Sequence, residues 1–175
     1  MYPFPFFLAF IICAIVIFTL MKSGSKKHEN EMDEYFKRER EADATPAKDI
    51  SNLSYITIPI DTFPIGKFTE DDDEETLSII EDKILSLNEK PLLNLSGKTN
   101  TDLKLEYGAP NLKKMQEISD DFDEMEITLL DYSKALMEKG HYSECIPALE
   151  FLVNKGSGMK TAKELLEECK SKAAQ

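Results

Sequence analysis

Few side chains in this chain of 175 residues are of a type and spacing that could do chemistry. There are two histidines, His28 and His141, and they lie far apart in sequence. His28 falls in a Lys/Ser-rich stretch and His141 between two predicted helices, so neither is placed to act as a general base beside a nucleophile. The cysteines are Cys13, Cys145 and Cys169, with no CxxC spacing, which predicts reduced thiols rather than a disulfide framework or a zinc site. Glu70 to Glu75 is an unbroken acidic run. It lacks the alternating ligands and central glycine of a calcium loop, and reads as the start of a helix, where carboxylates complement the macrodipole. No glycine-rich phosphate loop, GxSxG or HExxH occurs. The expectation is therefore no catalytic residue, no cofactor, no metal and no enzyme activity.

Binding chemistry is better represented. Between Ser119 and Lys139 the apolar residues Phe122, Met125, Leu129, Tyr132 and Leu136 recur at three- and four-residue steps and define a buried helix face. Ile127, Leu130, Lys134 and Met137 fall on an outward stripe of the same helix and are the candidate partner-binding residues.

The elements that must position this stripe can be read outward from it. Gly140 stops the helix. A second helix is expected from about Tyr142 to Asn154, with Cys145, Ala148, Leu149 and Leu152 inward, and a third from Lys160 to about Lys172, with Ala162, Leu165, Leu166 and Cys169 inward. Upstream, Pro110 to Ile118 predicts a short separate helix burying Leu112 and Met115. Thr99 and Asp102 have the spacing of a capping box, and Leu103 to Tyr107 after them suits either a short helix or a strand. Leu77, Ile80, Ile84 and Leu87 mark a helix that ends before Pro91. Leu53 to Gly66 alternates like a strand, but Pro59 and Pro64 exclude a central one. It predicts an extended segment burying Ile56, Ile58 and Ile60, with a short β-hairpin as the alternative.

The first 21 residues carry no charge, and Phe6 to Met21 is apolar apart from Thr19. At about 1.5 Å per residue that run covers roughly 24 Å. It predicts a transmembrane helix. A cleaved signal lacks its basic start and its small-residue cleavage site, a lipoprotein signal lacks a small residue before Cys13, and a core helix would have to hide an all-round apolar surface. Lys22, Lys26, Lys27, Lys37, Arg38 and Arg40 all follow the run, so the positive-inside rule predicts an outside N-terminus and a cytoplasmic domain.

The expected organisation is a bilayer span over 1–21, a juxtamembrane linker with a short charged helix over 22–45, an extended segment over 46–73 and a helical domain over 74–175. In the charged helix, Met32, Tyr35, Phe36 and Glu39 share a face, which suits either a docking turn or a solvated one. With 33 acidic against 21 basic residues the net charge is −12, which disfavours nucleic acid as a partner. The expected partners are the lipid bilayer, through residues 1–21, and a second protein.

The hairpin around Gly140 and Tyr142 resembles a tetratricopeptide (TPR) unit. Leu129, Tyr132, Ser133 and Leu136 take the first-helix positions, and Cys145, Leu149 and Leu152 those of the second. The match departs from the pattern where Cys145 replaces a small residue and Leu152 an alanine. Lys37-Arg-Glu-Arg-Glu-Ala42 and the stretch from Asn100 to Leu112 resemble an uncharacterised group of small, N-terminally anchored proteins from Clostridia-type Gram-positive bacteria. The resemblances imply a mainly α protein with one transmembrane helix and a TPR-like domain; the anchored group brings no activity with it, and the TPR-like hairpin implies a role as an adaptor or scaffold. The alternatives are a structural subunit of a membrane complex acting through its anchor, or an enzyme.

Overall fold

The computed structural model describes residues 4–68, 74–156 and 158–174, with side chains described over these residues except 4–10, 19–29 and 74–76. Among the described residues six α-helices follow one another: α1 Phe4–Asp43, α2 Glu74–Asn88, α3 Asn100–Tyr107, α4 Leu112–Glu138, α5 Ile146–Lys155 and α6 Lys160–Ala173.

The N-terminal reading needs correction. Among the described residues no helix is long and apolar enough to cross a membrane. The apolar run is the first half of the 40-residue α1, which continues through Lys22 to Asn30, inside the stretch expected as a juxtamembrane linker, and on to Asp43. Helix formation is costly to nucleate and cheap to extend, so carrying a helix through Ser23-Gly24-Ser25 costs less than stopping and starting another. Within the run, the described side chains are Ile11 to Phe18, all exposed. The transmembrane helix expected over 1–21 is therefore not met among the described residues. The remaining side chains of the 1–21 segment lie outside the described residues.

The β alternative is also corrected. Among the described residues there is no strand, and the extended segment makes a single antiparallel bridge, Ile56 to Leu92. The prolines explain this: Pro59 has no N–H to continue a ladder, and a 3₁₀ turn over Ile60–Thr62 follows it directly. The Ile58 N–H goes instead to the side chain of Asn88 at the end of α2, 3.0 Å away. As expected, the isoleucines turn inward, Ile58 fully and Ile56 and Ile60 in part.

The main core lies between α2, α4, α5 and α6, beneath the extended segment. Leu77, Ile84, Phe122, Met125, Leu129, Tyr132, Leu136, Leu149 and Leu152 fill it. A smaller core under α3 and the start of α4 holds Leu95, Leu103, Tyr107, Met115 and Ile118. The expected short helix over 110–118 and the one after it are a single helix, α4, because Ser119 and Asp120 do not interrupt the run. Conversely, α5 starts four residues later than Tyr142. Pro147 is confined to a first helical turn, so the helix cannot begin much earlier.

Candidate functional site

Helix α4 carries the expected stripe, and packing sorts its members. Its inward face is closed: Phe122, Met125, Leu129, Tyr132 and Leu136 are all buried. Ile127 is 55 % exposed, the one apolar side chain of α4 left open to solvent among the described residues. Leu130 and Met137 are half-buried and lean on the main core. Lys134 is exposed and pairs within its own helix with Asp131, at 3.2 Å. The stripe is therefore a ridge with one protruding apolar residue and half-sunken apolar shoulders. Asp123, Asp131 and Glu138 are exposed along the same helix. Burial, and then the neighbouring carboxylates of Glu126 and Asp120, hold the Asp123 carboxyl above its usual range.

A second polar feature lies where the end of α1 meets α3. The capping box is real: the Asp102 N–H donates to Thr99 Oγ1 at 3.2 Å, and the Thr99 N–H donates to Asp102 Oδ2 at 2.9 Å. Arg38 of α1 reaches the other Asp102 oxygen at 2.5 Å. Lys104 binds Asp43 at 2.6 Å and Glu39 at 3.1 Å, and Thr101 donates to Glu39 at 2.8 Å. Arg38, Glu39, Thr99, Thr101 and Lys104 border an open cleft of about 420 Å³, lined also by Tyr35, Asn100 and Leu112. Hydrogen bonds from the Thr99 side chain and backbone, and then from Arg38, hold the Asp102 carboxyl down to about 2. Hydrogen bonds from Thr101 and then Lys104 hold Glu39 low. Asp43 and then Glu39 hold Lys104 high. Each charge faces an opposite one, so the cleft presents no unpaired nucleophile or base. Gly108, at φ +94°, lets the chain after α1 close over α3, because a Cβ there would strike the backbone of Pro46 and Ala47. None of these pairings was visible in the sequence beyond the capping box itself. Of the shared face expected on α1, Met32, Tyr35 and Phe36 are exposed and Glu39 is drawn into the network.

The remaining expected sites separate. His141 stacks on Phe68, with ring centroids 3.9 Å apart, in the turn between α4 and α5. The His28 side chain and residues 70–73 of the acidic run lie outside the described residues. Glu74 and Glu75 open α2. Among the described residues no three His, Cys, Asp or Glu side chains are placed to hold a metal ion.

Two carboxylates missed in the sequence are buried. Glu81 is 4 % exposed, accepts the Gly66 N–H at 2.9 Å and the Tyr132 hydroxyl at 3.4 Å, and so ties the extended segment to α2 and α4. Glu126 is 2 % exposed. The Glu81 signal was its place between Leu77 and Ile84 at core spacing. Among the described residues no buried side-chain nitrogen or oxygen lacks a hydrogen-bond partner. Comparison with protein-family models, with curated proteins and with solved structures found no match.

Proposed function

We propose that this chain is a non-catalytic helical interaction module that docks another protein on the α4 ridge. The observation that carries the reading is Ile127, held open on a helix whose other apolar side chains are buried or half-buried. An exposed isoleucine three residues before Leu130, with Met137 further along the same stripe, suits the apolar stripe of a partner helix, read at i, i+3, i+4 spacing. The exposed acids at 123, 131 and 138 and the net charge of −12 favour a partner helix with basic residues beside that stripe. Leu130, Lys134 and Met137 complete the contact in this reading, which rests on no bilayer-spanning segment.

The test is site-specific photocrosslinking in the native host from position 130 of the full chain. The expected result is a discrete adduct with one partner, reduced at least tenfold by Ile127→Asp, while the variant's thermal midpoint stays unchanged. An adduct of equal yield in Ile127→Asp would mean that the ridge is not the docking surface.

A further inference from the structure

The start of α5 and the end of α6 bring two thiols together. Cys145 Sγ and Cys169 Sγ lie 2.6 Å apart, although 24 positions separate them in sequence. Both residues are fully buried, among Ala148, Leu149 and Ala162 of the main core. The contact is far closer than packing alone needs, and a covalent S–S bond of about 2.05 Å is reachable by a small adjustment of the side chains. No third ligand joins the pair among the described residues, so the arrangement is not part of a metal site.

We propose that Cys145 and Cys169 form a modification site, a dithiol that a low-molecular-weight disulfide oxidises to an intramolecular disulfide fastening α6 to α5. In the first step one protein thiolate attacks a sulfur of the small disulfide, forming a mixed disulfide and releasing one small thiolate. In the second, the other protein thiolate attacks the protein sulfur of that mixed disulfide and releases the second small thiolate. Two electrons pass to the small disulfide, and the two protons lost by the protein thiols end on the two small thiols.

Access is gated by the fold. Burial, and then the neighbouring Cys169 thiol, push the Cys145 thiol upward, so the closed protein offers little thiolate there. Helix α6 packs chiefly on α5, and its far side, with Lys163, Glu164, Glu167 and Glu168, is exposed. Exchange therefore proceeds through openings in which α6 lifts from α5, which cost less than global unfolding.

The experiment incubates the reduced full chain, carrying Cys13→Ser to remove the third thiol, with oxidised glutathione under native conditions. The expected product is two hydrogen masses lighter, yields a Cys145–Cys169-linked peptide on non-reducing digestion, and has a midpoint raised by roughly 10 °C that reductant abolishes. Adding Cys169→Ser should remove both the link and the shift. The proposal is overturned if both thiols stay alkylatable, if they carry separate glutathione adducts with no link, or if the link forms only after denaturation.

Discussion

In the core between α2, α4, α5 and α6, Phe122, Leu129, Tyr132 and Leu136 are fully screened from water. At the α1–α3 junction the fastening side chains are Arg38, Glu39, Asp43, Asp102 and Lys104, between 18 % and 64 % exposed. In its described C-terminal third, α1 buries one apolar side chain, that of Ala42. Apolar burial is non-directional and holds whatever the salt concentration. Exposed ion pairs contribute about 0–1 kcal/mol each and are screened by salt. The contrast teaches that α1 is joined to the helical domain through exposed ion pairs that salt screens, whereas the domain is held by apolar burial.

The sharpest way to break the contrast is to damage the core. Phe122→Ala should cost about 3–5 kcal/mol by leaving a cavity, read as a lower urea midpoint for the whole domain. Gly108→Ala strikes the seam instead. Backbone strain of about 1–3 kcal/mol, added to the clash with Pro46 and Ala47, should speed amide exchange in residues 43–48 and α3 before it affects α4. Thr99→Ala removes the cap of α3 and should cost about 1 kcal/mol, with faster exchange at the Asp102 amide.

Acid should separate the regions by titration. The Asp102 carboxyl lies lower in the folded protein, at about 2, than its ordinary 3.8. Its stabilisation is therefore complete above 3.8 and is lost as pH falls through about 2. Asp102→Asn should flatten that part of the acid profile. The smallest effect expected is from salt: near-molar sodium chloride should loosen residues 31–43, seen as faster amide exchange, and leave α4 unchanged.

The same contrast governs how much was legible in the sequence. The inward faces of α2, α4, α5 and α6 follow from local periodicity, and Leu77, Phe122, Leu149 and Cys169 lie where that spacing puts them. The Thr99–Asp102 box was readable because both partners sit within one turn. The seam was not, because Thr101 and Glu39 are 62 positions apart and Lys104 and Asp43 are 61, and no local pattern records such pairs. Residues 22–30 were read as a linker from composition, whereas the helix on either side carries them along. The span expected over 1–21 is likewise not met, since among the described residues no helix is long and apolar enough to cross a membrane. Of the candidate stripe, the sequence placed all four residues outward. Packing left Ile127 and Lys134 there and half-sank Leu130 and Met137 against the core.

In the proposed reading the α4 ridge, carried by a domain that does not depend on α1, makes the contact with the partner. The direct measurement is photocrosslinking from position 130 in a chain cut to residues 44–175, alongside its urea unfolding. The account predicts a single cooperative transition and the same adduct as the full chain. A truncated chain that unfolds cooperatively but gives no adduct would contradict it and move the contact to α1.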